Sequence, residues 1–83
     1  MTTSGERIAR SPAAIGRAIK LRREELHLTQ EQLARRGITN RYAVMKLEEG
    51  SETKALQALF DILYALDLEL VVRPKQPGPR QDQ

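Results

Sequence analysis

Between Thr29 and Gly50 the chain reads TQEQLARRGITNRYAVMKLEEG, and this stretch holds the side chains best suited to recognition chemistry. Val44 and Leu47 share one face of a helix. Tyr42, Met45, Lys46 and Glu49 follow at i, i+3, i+4, i+7 spacing on the opposite face. A short helix that buries one side and offers a polar, aromatic and basic side suits the DNA major groove. Arg41 is the best base reader: its guanidinium can fork onto guanine O6 and N7, worth about 1–3 kcal/mol of discrimination. Its other roles are a phosphate clamp or a solvated side chain. Tyr42 can pack on a thymine methyl or donate its hydroxyl to a phosphate, and Lys46, a turn further along, is expected to meet phosphate. Gln30 suits a phosphate, because its own backbone N–H sits at a helix N-terminus. Asn40 divides its capacity between capping the helix and contacting DNA. Lys54, Arg35 and Arg36 are phosphate neighbours or simply solvated.

Catalytic chemistry finds no such grouping. His27 stands alone, without an Asp, Cys or second His at ligand spacing. Glu24 and Glu25 are adjacent and therefore point apart. No Ser, Thr and His come together as a nucleophile set, and no Gly-rich loop follows a strand. Neither an enzyme, a metal site nor a cofactor is expected.

The composition bounds what can position these groups. Eighty-three residues make one small domain with a thin core that would gain from dimerisation. Fourteen Lys+Arg against eleven Asp+Glu leave a net charge of +3 and a pI near 9.7, too modest to identify a nucleic-acid binder. The distribution says more: Arg17, Lys20, Arg22 and Arg23 crowd one segment, and Arg35, Arg36 and Arg41 another. With no cysteine there is no disulfide or thiolate chemistry. The apolar runs are too short to span a bilayer and no signal-peptide core opens the chain, so a cytoplasmic protein with no membrane role is expected. Tyr42, Phe60 and Tyr64 are too few to make a stacking platform for single strands.

Residues 1–10 are polar with a single Ile8, and are expected to be a flexible arm or a short extended piece. Ser11-Pro12 starts a helix through about Leu26, with Ile15, Ala18, Ile19 and Leu26 as its stripe. Thr29 to Gln32 is a capping box, flanked by Leu28 and Leu33 as a staple, and Gly37 ends this second helix. Asn40 caps a third helix to about Glu49, with Gly50 beyond it. Two helices separated by about three residues make a helix-turn-helix arrangement. Thr53 caps a fourth helix, whose Leu56, Leu59, Phe60, Leu63 and Leu66 are expected to close the core from below. Residues 68–73 read as a strand, with Leu68, Leu70 and Val72 alternating against Glu69, Val71 and Arg73, stopped by Pro74. A single strand in a helical chain has no partner of its own. Pairing with the same strand of a second copy, or with another protein, is therefore expected. Residues 74–83, rich in Pro, Gln and charge, read as a disordered tail.

Leu28, Thr29, Gln30, Leu33 and Ala34, followed by Val44, Leu47, Glu48 and Gly50, resemble the Cro/cI-type (XRE) helix-turn-helix family over roughly residues 11–73. Ser11-Pro12 at the first helix, no extra helix after Leu66, and the run from Ala65 to Val72 are most similar to the HipB-like antitoxins of toxin–antitoxin operons. The resemblance implies a mostly α, lambda-repressor-like domain of four to five helices over 11–67, with a C-terminal strand that pairs across a dimer. It places Gln30 against a phosphate, and Asn40, Arg41, Tyr42 and Lys46 at groove-facing positions. It also pairs Arg23 with Glu48 to fix the angle of the reading helix. At the turn the chain departs from the family, which has an apolar residue and then Gly where this sequence has Gly37 and then Ile38. Either Ile38 swings into the core and the turn is remodelled, or the second helix ends one residue early.

The expected function is that of a homodimeric, sequence-specific transcriptional repressor acting as a HipB-like antitoxin. The resemblance implies double-stranded operator DNA and a HipA-like serine/threonine kinase toxin as partners, with autoregulation of their operon. The alternatives are a stand-alone or phage-type repressor without a toxin, and a protein-interaction module on a degenerate helix-turn-helix.

Overall fold

The computed structural model describes residues 6–75; the arm residues 1–5 and the tail residues 76–83 lie outside it. Four helices and a two-stranded antiparallel sheet follow one another: β1 (Arg7–Ala9), α1 (Pro12–Glu25), α2 (Gln30–Arg36), α3 (Arg41–Glu48), α4 (Lys54–Ala65) and β2 (Leu70–Val72). The domain is mostly helical, as the sequence pattern requires.

Every helix starts on a side-chain cap. Ser11, Thr29, Asn40 and Thr53 each accept the backbone N–H three residues on, at 2.8–3.2 Å. The Gln32 side chain accepts the Thr29 N–H at 2.9 Å, which completes the capping box.

The helix ends also share one device. The N–H groups of Leu28, Thr39, Ser51 and Leu68 return to the carbonyls of Arg23, Ala34, Lys46 and Leu63, closing a Schellman motif after each helix. That motif puts the preceding residue in the left-handed region. Gly50 (φ 80°) takes it without cost, whereas His27 (φ 57°), Ile38 (φ 54°) and Asp67 (φ 56°) do not. Of the two outcomes open for the Gly37-Ile38 turn, Ile38 does not enter the core: it is 93% exposed. The helix closes with Gly37 as its C-cap and Ile38 in the left-handed position.

The core is thin. Ala9, Ala18, Ala34 and Val44 are its buried apolar side chains among the described residues, joined by Pro12 and Gly16. Small residues let the helices approach closely. A Cβ on Gly16 would clash with the Leu47 carbonyl oxygen, and one on Gly50 would lie 2.9 Å from the Ala13 Cα. The crossing of α1 over the end of α3 is therefore built on backbone contact.

Two expectations are corrected. The C-terminal strand does have a partner in its own molecule: β1 runs antiparallel to β2, with Arg7 opposite Val72, Ile8 opposite Val71 and Ala9 opposite Leu70. Burial of Ala9 against α1 draws this part of the supposed arm into the fold, and exposed ion pairs Arg10–Glu69 (3.9 Å) and Arg73–Glu6 (3.8 Å) flank the sheet. Among the described residues each strand keeps one free edge.

The second correction concerns α4, which does not close the core. None of its residues is buried; Leu56, Phe60 and Leu63 are half-covered, and Leu59 (39%), Ile62 (56%) and Leu66 (61%) face outward. Among the described residues the closest helix packing is of α1 and α2 against α3, and the outward line of α4 stays exposed.

Candidate functional site

Glu48 closes α3 and is the anchor of the site. The last turn of a helix is a poor place for a carboxylate, because the macrodipole is negative there. Compensation comes from three hydrogen bonds given by two residues. Arg23 of α1 donates from Nε to Oε2 at 2.6 Å and from Nη2 to Oε1 at 3.1 Å, a bidentate pair. Gln30, the first residue of α2, donates from Nε2 to Oε1 at 3.1 Å. Arg23 also donates from Nη1 to the Leu28 carbonyl oxygen at 2.8 Å, tying in the loop before α2.

The side chains of Arg23 and Glu48 are only 13% and 4% exposed. Burial pushes the Glu48 carboxyl up, but the hydrogen bonds from Arg23 and Gln30 and the charges of Arg23 and Lys20 outweigh it, holding the group below its ordinary value. The hydrogen bond to Glu48 raises Arg23 in turn, against the opposing effect of burial. One buried carboxylate thus fixes α1, α2 and α3 in a single geometry.

From that frame α3 projects a free face. Asn40 caps it, its Oδ1 accepting from the Ala43 N–H at 2.8 Å. The capping role is realised, and the Asn40 amide group remains available. Arg41 is exposed at the first position of the helix, and Tyr42 beside it is 64% exposed. Lys46 lies one turn on, its Nζ 5.8 Å from the centre of the Tyr42 ring and 3.5 Å from Glu49 Oε1. Met45 is half-buried rather than fully on the open face, and Leu47 is 40% exposed rather than buried; Val44 is the buried residue of α3.

Arg41, Tyr42 and Lys46 are therefore brought together on one short, rigidly held helix, with Asn40 at its cap. Gln30 sits differently. It is half-buried, and one Nε2 hydrogen is committed to Glu48, so its first role is to join α2 to α3. Arg35 and Arg36 are exposed in the last turn of α2, where the dipole favours them, and Lys54 is exposed at the start of α4. Leu68 (56% exposed) precedes β2, while Leu70 and Val72 within it are half-buried.

Three features were not anticipated from the sequence. Gly16 carries the α1–α3 crossing, and a glycine inside an otherwise helical pattern is the mark that could have revealed it. Glu49 engages Lys46, which its i, i+3 spacing allows. The third is an open cleft of about 410 Å³ beside α4, lined by Ala9, Phe60, Leu63, Tyr64, Leu68 and Leu70.

No helix among the described residues is long and apolar enough to cross a membrane. Comparison of the chain with protein-family models, curated proteins and solved structures finds no match.

Proposed function

We propose that the chain is a homodimeric, sequence-specific DNA-binding repressor of the HipB-like antitoxin type, cytoplasmic and without a cofactor. The observation that carries this is the exposed Arg41–Tyr42–Lys46 surface on a helix locked at both ends, by the Asn40 cap and by the Arg23–Glu48–Gln30 network. A recognition helix has to be held rigidly, because hydrogen bonds to base edges tolerate little displacement. On this reading α2 and α3 form a lambda-repressor-like helix-turn-helix. Arg41 reads a base edge, Tyr42 meets a thymine methyl or a phosphate, and Lys46 and Lys54 meet phosphates. Gln30 turns its remaining amide hydrogen to the backbone, and two copies span successive major grooves about 34–36 Å apart.

A second copy has surface to bind. Among the described residues the outward side chains of α4 and one edge of each strand are left uncovered, and a core this small gains from association. Leu70 and Val72 of β2, with Leu68 just before it, would then contribute to a sheet extended across the dimer. A HipA-like serine/threonine kinase toxin, held by the body of the domain, rests on the sequence resemblance alone. A stand-alone repressor differs only in lacking it, and co-purification from the native operon separates the two.

Gel retardation with the DNA upstream of the protein's own reading frame tests the core of the proposal. Retardation should occur at low salt, and Arg41→Ala should relax preference at one operator position. No retardation at low salt would instead favour a protein-interaction module. Loss of affinity spread equally over every single-base variant would remove Arg41 as a base reader.

A further inference from the structure

Lys46 does not carry a free charge. Glu49 Oε1 lies 3.5 Å from its Nζ, and the Tyr42 ring covers another side of the ammonium group at 5.8 Å. The three residues form a stripe at i, i+4, i+7 along the open face of α3. Among the described residues Lys54, Arg35, Arg36 and Arg41 have no ion-pair partner. Of the cations proposed to meet DNA, Lys46 alone brings its own carboxylate.

We propose, on the premise of the DNA-binding reading, that Glu49 restrains the phosphate affinity of α3. It is an internal substitute for a DNA phosphate that weakens the sequence-independent part of duplex binding. A carboxylate offers an ammonium group the same kind of anionic oxygen acceptor as a phosphate does. For Lys46 to clamp a phosphate it must first give up Glu49, so one ion pair replaces another and less is gained. The displaced carboxylate then faces the polyanion and is repelled.

The cost falls on every duplex alike, because a phosphate contact carries no sequence information. Base contacts from Arg41 then make up a larger share of what affinity remains.

The test compares a random-sequence duplex with a duplex selected by the protein from a random pool, over a series of salt concentrations. Glu49→Gln should tighten binding to the random duplex about three- to tenfold and steepen its salt dependence by about one phosphate equivalent. Binding to the selected duplex should tighten by a similar factor. Adding Lys46→Gln should abolish the gain. Asp61→Asn, the same charge change on α4, should give a smaller effect. Unchanged affinity for the random duplex in Glu49→Gln overturns the proposal. Selective weakening on the selected duplex also overturns it, since Glu49 would then be accepting from a cytosine amino group. If the wild type binds no duplex at low salt, the DNA-binding premise fails and takes the proposal with it.

Discussion

Arg23 and Glu48, 25 residues apart, meet in a bidentate ion pair with Nε 2.6 Å from Oε2, and Gln30 completes the shell around the same carboxylate. Folding lowers the Glu48 carboxyl below its ordinary value of 4.5. As pH falls the unfolded chain therefore takes up the proton first, and protonation favours unfolding. The stabilisation is fully present above about pH 4.5 and is lost as pH drops through the lower folded-state value. Glu48→Gln should flatten urea-melt stability against pH in that acid window. At neutral pH it should cost about 2–3 kcal/mol, because the amide keeps one acceptor for Arg23 but leaves that largely buried guanidinium without an opposing charge. An unaltered acid slope in the variant would show that other carboxylates set it.

The turn between α2 and α3 holds recoverable stability. Ile38 is β-branched, sits at φ 54°, and at 93% exposure gains no packing in return. Ile38→Gly should stabilise the fold by about 1 kcal/mol, the left-handed strain less the added freedom of the unfolded chain. Gly37→Ala should add about 0.5–1 kcal/mol, since its φ of −85° suits any residue and a Cβ would meet its nearest neighbour, the Leu33 oxygen, at 3.5 Å. Thermal melts of the two variants and their combination decide the matter. A destabilised Ile38→Gly would mean that the isoleucine makes a contact in solution.

How far the sequence disclosed this arrangement depended on the range of the interactions. The helices were legible because caps are local: Ser11, Thr29, Asn40 and Thr53 each act within three residues. The Arg23–Glu48 contact, 25 residues long, came from the family resemblance and not from spacing. A short extended piece near the N-terminus was one of two readings, but its pairing with β2 stayed hidden because Arg7 to Ala9 are too few to show an alternating pattern and the pairing spans nearly the whole chain. Helical periodicity in α4 identified an apolar face correctly, but periodicity cannot say whether that face meets its own chain or another. At the site, Arg41, Tyr42 and Lys46 were placed on one face, while the demands of Glu48 on Gln30 and of Glu49 on Lys46 were visible only in three dimensions.

Gly16 offers a test of the α1–α3 crossing. In an isolated helix Gly→Ala gains about 1 kcal/mol. Here the new methyl would clash with the Leu47 carbonyl oxygen and crowd that of Glu48 at 3.1 Å, and backbone cannot swing aside as a side chain can. Gly16→Ala should instead destabilise by about 1–3 kcal/mol in urea denaturation, the cost of overpacking. Because the displaced atoms belong to the end of α3, the DNA-binding proposal expects operator affinity to fall as well. A stabilised variant would show that the crossing is looser than this contact implies.

The face of α4 makes the sharpest prediction about assembly. Leu59, Ile62 and Leu66 lie close to one line along the helix and are 39%, 56% and 61% exposed, while Asp61 falls on the other side. If a second copy covers this line, Ile62→Glu places a charge in the interface and should dissociate the dimer in sedimentation, with helix content kept. The site is half-open in the single chain, so the variant costs the monomer little directly. A folded state that depends on association also melts higher as concentration rises. Wild-type protein should show that dependence, and Ile62→Glu should lose it. An unchanged dimer in the variant would move the interface off this face, to the free edges of the β1–β2 sheet, where Val71→Lys on the half-open strand β2 is the next substitution to measure.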